Sequence, residues 1–125
     1  MKRIKKLEPS INPVTFKDGR GIIATYLPER LDIKEWNYIV TLVGATRGKH
    51  YHLEFDEYIM VVEGSGVYVE LTDGNELPTM VATGDCIYIP SGVPHTYYPT
   101  ADTKVIALIT KRWDDCAEPI TRIDG

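Results

Sequence analysis

Short runs of β-branched and aromatic residues, each closed by a glycine, proline or Asp-Gly turn, leave this chain few folds to choose from. The runs are Gly21–Leu27, Trp36–Val43, Glu57–Val62, Gly66–Leu71, Thr79–Ala82, Cys86–Ile89 and Lys104–Thr110. Val, Ile, Thr and Tyr favour a pleated, half-buried surface, and the breaks between runs carry turn chemistry. Two breaks are explicit: Glu63-Gly64-Ser65-Gly66, and Thr72-Asp73-Gly74-Asn75, where Asp-Gly is a hairpin signal. Strands recurring at roughly 8–12 residue spacing predict an all-β sandwich or barrel. Helix is expected at most in Glu29–Lys34 and in the tail after Trp113, and no internal repeat is present. A chain of 125 residues buries one core, so residues 1–125 are expected to form a single domain.

Composition excludes several classes of function. The formal net charge is −4, which gives no electrostatic case for nucleic acid as the main partner. It still allows local arginines to hold a small anion. The opening Met1-Lys2-Arg3-Ile4-Lys5-Lys6 is basic like the start of a signal peptide, but Leu7-Glu8-Pro9-Ser10 follows in place of an apolar stretch. No apolar run reaches the length of a bilayer span, so no membrane partner is expected. Cys86 and Cys116 make no disulfide framework and read as reduced thiols of a cytoplasmic protein.

All three histidines of the chain, His50, His52 and His95, lie in two short segments with Glu57 between them. Side chains alternate along a strand, so His50 and His52 project to one face and Tyr51 to the other. His95 follows the bend at Pro90 and Gly92 and can face the same interior from a neighbouring strand, with Tyr97 on its face. Glu57 must reach in after a corner at Leu53–Asp56. Neutral imidazole nitrogens and a carboxylate suit a divalent transition metal: iron, manganese, nickel, cobalt or zinc. The plainer reading is a barrel that carries these residues without a functional metal, the histidines serving instead in proton transfer. Glu54, Glu63 and Glu70 read as solvated strand-edge charges, and Tyr51 and Tyr68 as structural. Tyr97 has the parity for an interior role.

The spacing of these segments resembles the paired signatures of the cupin superfamily. Gly44, five residues, His50-x-His52, four residues, Glu57, six residues and Gly64 match the first. Gly84, five residues, Pro90-x-Gly92, two residues and His95 match the second, which departs from the usual pattern only at Pro99, where asparagine is common. The resemblance, carried by residues 44–64 and 84–99, implies a double-stranded β-helix (jelly-roll) barrel in which His50, His52, Glu57 and His95 bind a divalent metal with positions left open.

A narrower resemblance rests on Asp18-Gly19-Arg20-Gly21, Arg47-Gly48-Lys49-His50 and the tail residues Lys111–Asp115 and Arg122–Asp124. These are similar to segments of dTDP-4-keto-6-deoxyglucose 3,5-epimerases, 3,4-ketoisomerases and the cupin domains of capsular-sugar enzymes. The resemblance implies an isomerase or epimerase of a nucleotide-linked keto-sugar, with Arg20 and Arg47 binding phosphate and His50 as the base. Guanidinium forks suit phosphate oxygens, and enolisation beside a ketone needs a base. Such enzymes generally lack a full metal quartet; here His50 as a ligand could not also be a free base, which leaves Tyr97 or a water to move the proton. A cupin dioxygenase and a non-catalytic sensor cupin are the alternatives. The resemblance also implies a homodimer, with Ile11–Thr25 a segment that could add to a partner sheet.

Overall fold

The computed structural model describes residues 2–9, 16–19, 21–30 and 32–123. Its strands are β1 (Lys5–Leu7), β2 (Phe16–Asp18), β3 (Gly21–Ile23), β4 (Glu35–Thr41), β5 (Arg47–Tyr51), β6 (Glu57–Glu63), β7 (Ser65–Thr72), β8 (Asn75–Ala82), β9 (Cys86–Ile89), β10 (His95–Pro99), β11 (Thr103–Ile109) and β12 (Thr121–Arg122). Two five-stranded antiparallel sheets form the body, in the orders β1-β9-β6-β11-β4 and β12-β5-β10-β7-β8. From β4 to β11 the chain changes sheet at every step except the β7–β8 hairpin, which is the jelly-roll winding expected from the sequence. At that hairpin Asp73 (φ 54°) and Gly74 (φ 75°) both take left-handed backbone, as a two-residue turn matched to strand twist requires.

The core lies between the two sheets and follows the pleat. Thr103, Val105, Ala107 and Ile109 of β11 are buried alternately with Lys104, Ile106 and Leu108. From the facing sheet come Tyr68 and Tyr97, and the cluster is filled by Ile59, Val61, Val81, Ile87 and Ile89. Ile87 has no exposed surface; burying such a side chain stabilises the fold by about 1.5–3 kcal/mol.

Several expectations are corrected. Residues 29, 30 and 32–34 form no helix. Arg30 there sends Nε to Asp32 Oδ1 (3.0 Å) and Nη2 to Asp32 Oδ2 (2.6 Å), and its Nη1 reaches Asp56 Oδ2, ties that hold an extended crossing. The strand expected over Gly21–Leu27 stops at Ile23 and pairs with β2 as a separate hairpin; residues 11–15 of the segment proposed for a partner sheet lie outside the described residues. The strand expected over Thr79–Ala82 begins at Asn75 and includes Pro78, tolerated because β8 is an edge strand. The tail carries a 3-10 turn at Trp113–Asp115.

Glu70 is the sharpest correction, since it is fully buried rather than solvated. Its carboxylate accepts the N–H groups of Arg3 (2.7 Å) and Ile4 (2.8 Å) and the Thr72 hydroxyl (2.6 Å). Burial alone would raise its pKa, but these hydrogen bonds and Arg3 together hold it below the usual carboxylate value. The buried charge thereby fixes the start of β1 to β7.

Candidate functional site

The site begins with an irregularity in β5. His95 pairs with His50, but Tyr97 pairs with Arg47, so Gly48 and Lys49 together oppose Thr96. This is a β-bulge, and Lys49 takes a left-handed φ of 51° to make it. Thr96 Oγ1 accepts the Lys49 N–H at 2.8 Å, while a side chain at Gly48 would run into Thr96 Cγ2. The extra residue changes parity. Arg47 and His50 are three apart and would point to opposite faces of a regular strand; with the bulge both line the same cavity.

Three imidazoles meet there. His50 and His95 are a cross-strand pair with ring centroids 4.7 Å apart, and His52 lies 5.0 Å from His50 and 5.7 Å from His95. One ring nitrogen from each lies within 4.8 Å of those of the other two. Glu57 reaches in from the opposite sheet, its Oε1 4.0 Å from His52 Nε2. The sequence placed these four residues together, and the fold does so.

The hydrogen bonds fix the protonation state of the rings. His50 Nδ1 faces Gly48 O (3.3 Å), His52 Nδ1 faces Pro119 O (2.9 Å) and His95 Nδ1 faces Val93 O (2.9 Å). A carbonyl oxygen only accepts, so each Nδ1 carries a proton, and in the neutral ring Nε2 keeps its lone pair. Burial, and then the neighbouring His52, push His50 down to about 4. Burial likewise lowers His95 to about 4 and lowers His52, the latter opposed by the Pro119 carbonyl. Burial pushes the Glu57 carboxyl up to about 7. At neutral pH the cluster is therefore three neutral acceptors and one carboxyl poised to ionise, a donor set that fits a divalent cation.

The surrounding cavity has a volume of about 430 Å³, within the range of small-molecule clefts. Arg47 is the one guanidinium among its described lining residues, with Nε donating to Thr41 Oγ1 and Nη2 to Val40 O, both at 2.7 Å. Arg20, its expected companion, lies outside the described residues. Tyr97 lines the cavity, its ring centroid 4.4 Å from that of Tyr68 and tilted by 32° to it. Its hydroxyl meets Thr103 Oγ1 at 2.7 Å, and the Thr103 proton already goes to carbonyls of Ser65 and Ala101. Tyr97 therefore donates to Thr103, away from the role of free proton carrier expected for it.

Sequence reasoning missed Glu35, Asn37, Trp113 and Ile120, which also line the cavity. A signal for the first two existed. In β4 the polar Glu35 and Asn37 share a face with Ile39 and Thr41, while the alternate residues Trp36 and Tyr38 are 74% and 62% exposed. That inverted alternation marks a polar interior.

Known proteins agree with this architecture. The profile of the cupin domain family matches residues 38–110, and the chain belongs to that family. A comparison with curated proteins finds no match. Among solved structures, a 3,4-ketoisomerase of Helicobacter canadensis is 19% identical, with a TM-score of 0.79 over 98% of this chain and 92% of that one. The sugar 3,4-ketoisomerase of Thermoanaerobacterium thermosaccharolyticum, solved with TDP, is 16% identical, with a TM-score of 0.79 over 98% and 90%. A 3′-monoepimerase of Streptomyces bikiniensis, solved with dTDP-quinovose, is 17% identical, with a TM-score of 0.80 over 99% and 71%. At such identities the likeness establishes the fold.

Proposed function

We propose that this protein is a small cupin isomerase or epimerase that moves a proton on a carbon beside the carbonyl of a keto-sugar, with a nucleotide-linked sugar as substrate. The observation that carries the reading is the convergence of one ring nitrogen from each of three histidines and the Glu57 carboxyl in one cavity, on the fold of the keto-sugar enzymes named above. His50, His52, Glu57 and His95 would hold a divalent transition metal, which when bound supplies a Lewis acid for the carbonyl oxygen. The residues themselves do the rest. Arg47 gives the mouth a positive charge for a phosphate-bearing substrate, with Arg20 proposed beside it. Where no cation is held, the His50 Nε2 lone pair is the base, and a diphosphate brought nearby favours its imidazolium form. Tyr97 and Tyr68 wall the cavity.

The test is hydrogen exchange: TDP-4-keto-6-deoxyglucose and UDP-linked keto-sugars are incubated with metal-loaded and metal-free protein in deuterated water. Deuterium entering the sugar beside the carbonyl is the expected result; no exchange with any of them defeats the proposal. The same donor set suits oxygen activation at ferrous iron, and oxygen uptake without sugar exchange would select that reading. Binding without either would select a sensor.

The protein is further proposed to be cytoplasmic, where the free thiols of Cys86 and Cys116 persist, and homodimeric, with the outward Trp36, Tyr38 and Val40 of edge strand β4 facing a second copy. Among the described residues, no helix is long and apolar enough to cross a membrane. A monomeric mass by light scattering removes the dimer.

A further inference from the structure

Residues 111–123 run as a strap beside the mouth of the cavity, to which they contribute Trp113 and Ile120. None of these residues is buried; polar contacts hold the strap, together with the Trp113 ring, which lies 6.2 Å from His52 and 6.3 Å from Phe55. Trp113 N–H donates to Glu35 Oε1 at 3.1 Å, β12 pairs with β5, and Ile123 N–H donates to Lys49 O at 2.7 Å. The densest anchor is Glu54, in the corner between β5 and β6. Its Oε2 accepts the N–H of Glu118 at 2.7 Å, and its Oε1 accepts the N–H of Ala117 at 3.3 Å and the Lys111 ammonium at 2.9 Å. The expectation of a solvated strand-edge charge at Glu54 is thus corrected. The very next residue of the strap, Pro119, turns its carbonyl to His52 Nδ1 at 2.9 Å.

These contacts close a ring: residue 54 grips 117 and 118, and 119 grips residue 52. Resting on the assignment of His52 to the site, we propose that Glu54 is a positioning residue that clamps the strap and thereby fixes which nitrogen of His52 faces the cavity. A neutral imidazole has two tautomers, and the one with the proton on Nε2 presents a donor where the site needs a lone pair. With Pro119 O in place the Nδ1–H form is selected. With the strap loose, the selection is lost while His50 and His95 keep their own carbonyl partners, Gly48 and Val93. Glu54 does not line the cavity and reaches His52 through the strap, by the Pro119 carbonyl and by Trp113, whose ring stands edge-on 6.2 Å from that of His52. Partners of this outer kind are commonly worth 10–100-fold in metal affinity.

Glu54→Gln keeps the size of the side chain but leaves one acceptor oxygen and sets an amide N–H₂ against N–H donors. The experiment is ¹⁵N imidazole NMR of the metal-free full-length protein, with zinc(II) titrated in parallel by calorimetry. Wild type should show Nδ1–H for His52. Glu54→Gln should move His52 alone toward a mixture of tautomers and raise the zinc Kd by about tenfold. Lys111→Met, which leaves both amide contacts in place, should change neither. An unaltered His52 tautomer and zinc Kd in Glu54→Gln overturn the proposal, as does an equal change in all three rings, which would mean general loosening. A wild-type protein that binds no zinc and lacks Nδ1–H at His52 fails earlier, at the site assignment, and takes this inference with it.

Discussion

Replacing Gly48 by alanine tests how the bulge builds the site. A Cβ at this position would overlap Thr96 Cγ2 and sit 3.1 Å from its Oγ1, the atom that accepts the Lys49 N–H. Either the Thr96 side chain turns, losing that hydrogen bond, or β5 moves off β10. The lost bond is worth about 0.5–1.5 kcal/mol and the overpacking about 1–3 kcal/mol, so the substitution should destabilise by about 2–4 kcal/mol in urea denaturation. Thr96→Ser removes the clashing methyl and keeps the acceptor. The double variant should therefore recover part of the loss, with a coupling of about 1–2 kcal/mol. Because the bulge sets the parity of Arg47 against His50, Gly48→Ala should also weaken zinc binding, and Thr96→Ser should restore it. A loss below about 0.5 kcal/mol, or strict additivity of the two substitutions, would refute the reasoning.

Further outcomes follow from the same geometry. Glu70→Leu removes a buried carboxylate that holds two backbone N–H groups and a hydroxyl; at about 1–3 kcal/mol for each N–H left without a partner it should cost about 2–5 kcal/mol, with faster amide exchange at Arg3 and Ile4 and the β7–β8 hairpin still protected. Acid should destabilise the metal-free protein. His50 and His95, at about 4 in the fold, stay neutral while the unfolded chain protonates below 6.5; Glu57, at about 7 in the fold against 4.5 unfolded, acts in the opposite sense. Near pH 6.5 these nearly cancel, and towards pH 5 the two histidines leave the unfolded chain ahead by about one proton, His52 adding in the same sense; the fall in stability should therefore steepen to about 1.4 kcal/mol per pH unit near pH 5, and a rise between 6.5 and 5 contradicts the assignment. Zinc at a hundred times its Kd should add about 2.7 kcal/mol, reversed by a chelator, and His95→Ala should abolish the gain.

Much of the fold was legible because the pleat leaves its mark on sequence. The β-branched runs, the Asp73-Gly74 turn and the two glycine-framed histidine segments gave the winding and the cluster of His50, His52, Glu57 and His95. What was hidden depends on partners that only the folded chain brings together. The bulge at Gly48 and Lys49 is one extra residue in a short strand, and nothing local shows that it swings Arg47 inward. Glu54 and Glu70 look like surface charges until backbone N–H groups, 63 and 64 residues away for Glu54 and 66 and 67 away for Glu70, are brought to them. Residues 29–34 left room for a helix, and the fork of Arg30 to Asp32 shows why the described ones stay extended. The Tyr97 hydroxyl was judged from strand parity alone, which could not reveal Thr103 across from it.

The central claim is that His50, His52 and His95 all turn an unprotonated Nε2 toward one point. Long-range ¹H–¹⁵N spectra of histidine-labelled, metal-free protein at pH 7 measure this ring by ring. The account predicts three neutral Nδ1–H rings whose Nε2 resonances all shift when zinc is added. A ring found as imidazolium or with its proton on Nε2, or a zinc titration that moves only one of the three, would contradict it.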